Sequence, residues 1–427
     1  MRAIPSRLQI GARPINAMMI GSLFSSFGNQ LTSLAVPWFV LETTGSASKT
    51  GLIAAVTLLP AILATFFGGT IVDRVQRKQL AIGADIISGL TIVAVPFFYT
   101  TSGLSFVGLM ALMFLGAIFD GPGFTARNAM LPALADRAGI PLEQVNSRFG
   151  VIGSATALFG APIAGLLIAV MGAANVLWLN AATFAISILL MAIFVPPSEV
   201  AEPTGNSFVS DVREGMAFIF GHRALLQLAL LATAVNFLIS PLFGVAIPYF
   251  ANTVYESSTN LGLMMGSLGF GGLLGSLAYG KVALRWSRHS ILILTLASFS
   301  IPIWIMALQP VVAVMCLLIF VMGLGAGLVN PMVSTMMQLI TPTNMLGRVM
   351  GTLGSTSMLA TPLGLLLGGV SIGAIGLRGT LLGMAVLFGA LLVVGLTNRT
   401  FRELDQLATA PARESVAISA DSAFAET

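Results

Sequence analysis

The sequence predicts an all-α membrane protein that crosses the bilayer many times. Only 8% of its 427 residues are charged, whereas soluble domains carry about 25%. Its mean hydropathy is +0.95, and its apolar residues fall in runs of about 20, long enough for a helix to cross a hydrocarbon core of roughly 30 Å. A membrane β-barrel would instead show alternating segments of about ten residues, a pattern that this chain lacks.

Twelve apolar runs predict twelve transmembrane helices in two halves of six, within residues 1–197 and 224–400. The predicted spans are 16–41, 50–71, 79–99, 105–126, 147–172, 174–196, 224–251, 259–282, 290–308, 311–335, 347–373 and 377–397. Prolines inside these spans predict kinks, at Pro37, Pro60, Pro122, Pro162, Pro241, Pro248, Pro331 and Pro362.

Two hydrophilic stretches lie outside the predicted spans. Residues 198–223 begin as a linker by composition and continue in SFVSDVREGMAFIFGH. An amphipathic helix on the inner membrane surface is predicted there, from the helical spacing of Phe208, Val212, Met216 and Ile219. Residues 401–427 are polar and rich in Ala and Ser, which predicts a disordered cytoplasmic tail.

The distribution of basic residues predicts the orientation. Twelve spans place both termini on one side, and every Lys and Arg except Lys49 and Arg378 falls on that side. Because Lys and Arg accumulate in cytoplasmic loops, we expect both termini in the cytoplasm. The same bias explains the pI of about 9.6 without a nucleic-acid partner. The single cysteine, Cys316, lies in an apolar run, so no disulfide framework is expected.

The two predicted halves repeat one another. Pro37 in AVPWF matches Pro248 in AIPYF, and Gly51 matches Gly262, both 211 residues apart. A further pair, GAIFDGP (116–122) and GAGLVNP (325–331), lies 209 residues apart. Parallel repeats of this kind place a substrate near the bilayer midplane between the halves. The repeat therefore favours a transporter with alternating access over a channel.

A charged cluster follows the second predicted span, in FGGTIVDRVQRKQL (67–80). It fills the pattern G-x-x-x-D-R-x-x-R-K with Gly69, Asp73, Arg74, Arg77 and Lys78. A degenerate copy, GKVALRWSRH (280–289), stands in the second half, with Leu284 in place of the acid. In this signature the chain resembles the major facilitator superfamily over nearly its whole length. The resemblance implies the major facilitator fold.

The resemblance also implies a gating role for this loop. Asp73 would contact the positive N-terminal end of a helix in the other half, which starts around Met345 to Arg348. That contact would hold the two halves in the outward-facing state. The basic residues of the loop would at the same time keep it in the cytoplasm.

A narrower resemblance is to the bacterial exporter branch that includes enterobactin exporters and macrolide efflux proteins. Three stretches carry it, SSFGNQLTSLAVPWFVLETTGSAS (25–48), GPGFTARNAMLPALA (121–135) and SDVREGMAFIF (210–220). It implies a bacterial inner-membrane protein whose cargo is a drug, a macrolide or a siderophore. Members of this branch often carry an acid where Asn29 stands here.

The fifth predicted span contains GAPIAG (160–165), which resembles the antiporter signature of drug exporters. Gly160, Pro162 and Gly165 match it, and Ala161 and Ala164 replace two of its glycines. The resemblance implies export. Ordinary close packing of two helices against small residues is the alternative explanation.

Two acids fall inside the predicted spans, and each is a functional candidate because a buried acid is costly in a membrane. Asp85 lies near the inner surface, where Arg127 or Arg74 could neutralise it, which favours a structural ion pair. Asp120 is the deepest acid in the predicted bundle. It is predicted to take up and release the coupling proton, or else to serve as a structural acid that pairs with Arg127 or another arginine.

The superfamily resemblance implies that spans 1, 4, 7 and 10 line a central cavity. The candidate substrate residues there are Phe24, Asn29, Gln30, Phe124, Asn236, Phe237 and Asn330. Aromatic rings with a few amides suit a large amphipathic molecule better than a sugar or an inorganic ion. Packing between helices or against lipid is the alternative role for each phenylalanine.

Other chemistries are not supported by the sequence. No G-x-x-x-x-G-K-[ST] loop occurs, so transport must be driven by an ion gradient or by the gradient of the substrate itself. His222 and His289 both lie near the predicted cytoplasmic surface, so no metal site or cofactor is expected. The sequence therefore predicts a monomeric transporter, not an enzyme, that exports amphipathic small molecules by proton antiport. A transporter of the same fold for uptake or lipid movement, and a transport-dead membrane sensor, are the alternatives.

Overall fold

The computed structural model describes residues 6–72, 76–197, 208–342 and 345–402 of the chain. Every regular element among them is helical. The first half contains six long helices: α1 (Ser6–Thr44), α2 (Ala47–Val72), α3 (Arg77–Thr101), α4 (Phe106–Ala138), α5 (Leu142–Met171) and α6 (Ala173–Phe194).

The second half begins after a separate helix, α7 (Phe208–Gly221). Its elements are α8 (Arg223–Pro241), a π-helical segment (Leu242–Ala246), α9 (Ile247–Thr253), α10 (Ser258–Val282), α11 (Arg288–Met306), α12 (Val312–Ile340), α13 (Leu346–Thr397) and α14 (Arg399–Arg402). The seventh predicted span therefore consists of α8, the π-helical segment and α9. The last two predicted spans are the two arms of α13, which meet at the left-handed Gly376, with a φ of 76°.

The predicted polytopic all-α architecture is confirmed. Within the described ranges, nine helices are long and apolar enough to cross a membrane, and α13 counts once among them although it holds two predicted spans. The first two predicted spans lie in α1 and α2. Large apolar side chains such as Val107, Val170 and Ile193 are exposed on the outside of the bundle, as expected of helices that face lipid.

In the seventh span, the α-helix changes to a π-helical segment directly after Pro241, one of the prolines at which a kink is predicted. Proline removes a backbone donor, and π-helical turns are a usual response to such a break. This region packs tightly on α13, because a Cβ added at Gly368 would lie 2.2 Å from Pro241 Cβ and one at Gly364 would lie 2.3 Å from the Phe237 carbonyl oxygen.

The two halves touch on one side of the bundle, opposite the side where α1 begins and α13 ends. We call the latter the termini side. On the opposite side, α2 packs against α13 and α5 packs against α10. A Cβ added at Gly51 would lie 2.4 Å from the Leu365 carbonyl oxygen, and one at Gly165 would lie 2.5 Å from that of Ser258. Both crossings therefore depend on glycine for close backbone approach.

The same helices separate toward the termini side. Along α5, Gly150 and Gly153 have no atom of another element within 4 Å of an added Cβ, and the same holds for Gly280 near the end of α10. Near the middle of α10, a Cβ added at Gly269 would still lie 2.9 Å from the Ala157 carbonyl oxygen of α5. The bundle is thus closed on the opposite side and opens toward the termini side.

The predicted surface helix is present as α7, but its buried face differs from the predicted one. Ile219 is buried, whereas Met216 is exposed, and the side chains of Phe208 and Val212 lie outside the described part. The helix turns Gly215 inward instead, because a Cβ there would lie 2.3 Å from Thr352 Oγ1 on α13. Backbone contact through this glycine sets the face that α7 buries.

Candidate functional site

Two glycines position Asp120 against the neighbouring helix α3. Gly116 precedes Asp120 by one turn and Gly123 follows it by three residues, so all three lie near one face of α4. A Cβ added at Gly116 would lie 2.5 Å from Thr91 Oγ1, and one at Gly123 would lie 2.7 Å from Ala84 Cβ. The absence of both side chains lets α3 approach α4 closely on either side of the carboxyl group.

This approach brings the hydroxyl of Ser88 to Asp120. Ser88 Oγ lies 2.8 Å from Asp120 Oδ1 and 3.2 Å from the Gly116 carbonyl oxygen, and it donates to either acceptor. Asp120 is half-buried, and Ser88 is its hydrogen-bonding partner among the residues described. One carboxylate oxygen is thus left without a protein donor there.

The second acid, Asp85, is bound much more completely. Its side chain forms an ion pair with Arg127 of α4, and both residues are buried. Asp85 also accepts hydrogen bonds from Ser187 Oγ of α6, at 2.7 Å, and from Ser25 Oγ of α1, at 3.3 Å. Three other helices, α1, α4 and α6, therefore supply partners to this carboxylate of α3.

The structure places the two acids in different environments. The predicted pair of Asp85 and Arg127 is brought into contact, and Arg127 also lies 3.4 Å from Ser25 Oγ. Asp120 forms no ion pair within the described ranges. Asp85 thus has a buried guanidinium and two hydroxyl donors around it, whereas Asp120 has one hydroxyl partner among the residues described.

A cavity of about 430 Å³ lies in the second half, between α8, α11, α12 and α13. Most of its wall is aliphatic, and Phe299 adds an aromatic ring. Its polar groups are the side chains of Asn236, Thr295, Asn330, Ser334 and Ser357. An apolar enclosure with a few amides and hydroxyls is typical of small-molecule sites, which measure roughly 300–1,000 Å³.

Of the predicted substrate residues, Asn236 and Asn330 are brought together in this cavity. The others lie elsewhere. Gln30 packs on α5, because a Cβ added at Gly160 would lie 2.9 Å from Gln30 Cβ. Phe237 packs against the main hydrophobic core, and Phe124 is more than half exposed.

The remaining two predicted substrate residues are on α1. Phe24 is partly buried and Asn29 is exposed. Neither of them lines the cavity of the second half. The structure therefore distributes the predicted set over several environments, and only Asn236 and Asn330 of that set line this cavity.

The three antiporter-like residues of α5 pack against two other helices, α10 of the second half and α1 of the first half. Gly165 approaches the backbone of α10. Pro162 lies against α10 as well, because a Cβ added at Gly266 would be 2.5 Å from Pro162 Cγ. Gly160 instead accommodates α1 of its own half. The motif thus shapes the α5 surface on which the second half rests.

Only part of the gating loop lies within the residues that the structure describes. Asp73 and Arg74 lie outside the described residues, and Gly69 is described only as part of α2. Arg77 Nη1 donates to the Ala129 carbonyl at 2.9 Å, and Lys78 Nζ donates to the Ala192 carbonyl at 2.9 Å. Both side chains thereby connect the start of α3 to α4 and α6 of the same half.

Several residues of these sites were not identified from the sequence. Ser88 follows Asp85 by three residues on one helical face, a spacing that could have indicated a shared polar environment. Ser25 and Ser187 carry no comparable signal, because isolated serines are common in membrane helices. Thr295 lies on α11, a helix not expected to line a substrate cavity.

Within the described ranges, no cluster of three or more His, Cys, Asp or Glu residues could hold a metal ion.

Comparisons with known proteins agree with this geometry. The sequence matches the Major Facilitator Superfamily over residues 18–241 and 229–423. It is 33% identical to the multidrug efflux pump Tap of Mycolicibacterium fortuitum over 407 residues, which cover 93% of this chain and 98% of that protein. It is 28% identical to macrolide efflux protein A of Streptococcus pyogenes over 406 residues, which cover 90% of this chain and 96% of that protein.

A solved structure supports the same fold. A mutant of the nucleoside transporter NupG superposes with a TM-score of 0.75 at 12% identity, covering 90% of this chain and 98% of that chain. At this level of identity, the likeness concerns the fold alone.

Proposed function

Since the chain belongs to the Major Facilitator Superfamily, a family of membrane transporters, we propose that it exports amphipathic small molecules in exchange for protons. The resemblance to the exporter branch is confirmed by two efflux proteins that match it over nearly their whole length. By their names, those relatives act on multiple drugs and on macrolides. Drugs of this kind are the cargo that we propose for this chain.

One observation carries the proposal, namely the cavity of about 430 Å³ in the second half. Its aliphatic wall would take the apolar body of a drug, and the amides of Asn236 and Asn330 would bind its polar groups. No Lys, Arg, Asp or Glu lines it, so the cargo needs no fixed charge. These features support a drug as the cargo more than a sugar or a phosphate ester.

Asp120 is the proposed proton site. Its carboxyl group is half-buried and bonded to Ser88, whereas Asp85 is already neutralised by Arg127 and two serines. An acid that changes its charge must lack a permanent counter-ion, and Asp120 fits this requirement better. The Asp85–Arg127 pair is assigned a structural role.

Transport by alternating access is supported by the shape of the bundle, which is closed on the opposite side and open on the termini side. Since basic residues concentrate on the termini side, we place that side in the cytoplasm of a bacterial inner membrane and assign this shape to an inward-open state. The protein would work as a monomer of two halves, 1–197 and 224–400, joined by 198–223. The loop with Asp73 is the proposed gate, and residues 401–427 the cytoplasmic tail.

The proposal is tested with purified protein in liposomes that enclose a pH-sensitive dye. Addition of erythromycin, a macrolide, should move protons in the wild type. In the variant Asp120→Asn, macrolide-induced proton movement should be lost, whereas binding of labelled erythromycin should persist. Cells that express the wild type should accumulate less of the drug, and a protonophore should abolish this difference.

Asp136→Asn is the matched control, because Asp136 also lies on α4 but is exposed at its end. This variant should retain macrolide-induced proton movement. Full proton movement in Asp120→Asn would refute the coupling site. Accumulation of macrolide that rises on expression of the wild type would instead indicate uptake.

A further inference from the structure

A smaller cavity lies at the termini side of the first half, away from both proposed transport sites. It measures about 310 Å³ and is enclosed by the start of α3, the last turns of α4 and the residues that follow α6. Two arginines, Arg77 and Arg137, line it, and its lining contains no acidic residue. The remaining wall is largely apolar, with Met130, Leu134 and Val195.

The guanidinium group of Arg77 is held in place, but one of its N–H groups has no acceptor among the residues described. Its Nη1 donates to the Ala129 carbonyl at 2.9 Å, which fixes the guanidinium against α4. Its Nε is buried and has no hydrogen-bonding partner in the described part of the chain. Since a buried donor without an acceptor is unfavourable, this edge of the guanidinium is a place where an acceptor is missing.

Arg137 adds a second positive charge from the last turn of α4. It is exposed, and no ion pair or hydrogen bond to it is found among the residues described. Its neighbour Asp136 is exposed and is not part of the cavity lining. Among the residues that the structure describes, the cavity is therefore a basic site without an internal counter-ion.

We propose that this cavity binds a phosphate ester through Arg77 and Arg137. Guanidinium groups bind phosphate oxygens in pairs of parallel hydrogen bonds, which makes arginine the side chain best suited to such an anion. An anionic phospholipid is the source that the surroundings favour. The site lies at one edge of the bundle beside an apolar wall, and basic pockets between transmembrane helices on the cytoplasmic side bind lipid head groups.

Such a ligand would have a structural consequence at the gate. Arg77 is the first residue of α3 and follows directly on the loop that contains Asp73. A phosphate held between Arg77 and Arg137 would tie the start of α3 to the end of α4.

The test measures lipid retention by native mass spectrometry of the purified full chain. Protein in neutral detergent is titrated with phosphatidylglycerol and, separately, with phosphatidylcholine. The wild type should retain phosphatidylglycerol preferentially, and the double variant Arg77→Gln/Arg137→Gln should lower its apparent affinity by about tenfold or more. Arg148→Gln is the matched control, because Arg148 is an exposed arginine on the termini side of the same half.

A second arm distinguishes lipid from a soluble ligand. Excess glycerol 3-phosphate that displaces phosphatidylglycerol would support the phosphate site but assign it to a soluble ester. Equal retention of phosphatidylglycerol by the wild type and the double variant would overturn the proposal, as would an equal loss in Arg148→Gln. Melting temperature and gel filtration check that the double variant folds, and the single change Arg137→Gln at an exposed position replaces it if it does not.

Discussion

Arg127 of α4 and Asp85 of α3 form an ion pair that is buried inside the first half. Serines of α1 and α6 complete the shell of Asp85, so the pair joins four of the six helices. Loss of one partner leaves the other as an uncompensated charge in a dry environment, which is costlier than loss of both. The pair therefore specifies how these helices pack.

We expect Asp85→Asn and Arg127→Gln each to lower the free energy of unfolding by about 3–5 kcal/mol. The combined variant should be more stable than either single one, because no unpaired charge remains. Denaturant unfolding of the purified proteins in detergent provides the measurement. Ser187→Ala, which removes one hydrogen bond of 2.7 Å, is the milder control. A double variant whose loss equals the sum of both single losses would contradict the coupling.

A second prediction concerns the crossing of α5 and α10. Gly165→Val should separate the halves on the opposite side, because even a Cβ at this position lies 2.5 Å from the Ser258 carbonyl oxygen. Spin labels on the α5–α6 turn and the α9–α10 turn, in a Cys316→Ser background, should report a longer distance than in the unsubstituted chain.

Gly383→Val is the control for this experiment, since Gly383 is exposed and nothing lies within 4 Å of an added Cβ. It should leave the label distance unchanged. The prediction fails if Gly165→Val and Gly383→Val give the same distance distribution.

A third prediction concerns the cavity of the second half. Ala232→Phe places a ring in a space of about 430 Å³, so binding of labelled erythromycin should weaken by about tenfold or more. Asn330→Leu should weaken it less, because the volume stays similar while one polar group is lost. Ala111→Phe, at an exposed position of α4, should bind as the wild type does. Unchanged binding in Ala232→Phe would place the cargo site elsewhere.

The fold was largely predictable because a helix must be long enough to cross the bilayer, so the length of each apolar run indicates a transmembrane span. All twelve predicted spans are found as helices, and even the short connection at Gly376 was placed within a few residues. The repeat was informative as well. Gly51 and Gly262, matched at 211 residues, both lie where one half crosses the other. A glycine required for backbone contact is visible in the sequence because no other residue fits.

The site was less predictable, because run length contains no information on which face of a helix points inward. Asn236 and Asn330 line the cavity of the second half, but Phe237, their neighbour in the predicted set, packs against the core. Polar residues inside a membrane bundle are few and can therefore be recognised in the sequence. A phenylalanine can equally well face lipid, pack in the core or line a cavity. The hydroxyl groups around Asp85 and Asp120 were missed for a related reason, since serine also satisfies its own helix backbone.

The cavity is built from four helices of the second half, whereas Asp120 and every group that touches it belong to the first half. With Asp120 as the proposed ion site, cargo and proton share no ligand atoms. Communication between them would then pass through the contacts between the halves, of which the glycine crossings of α2 with α13 and α5 with α10 are the most extensive. Under this proposed layout, the first half sets the number of protons exchanged, and the second half sets which compounds are bound. The range of exported compounds can therefore broaden in evolution without any change to the energy source.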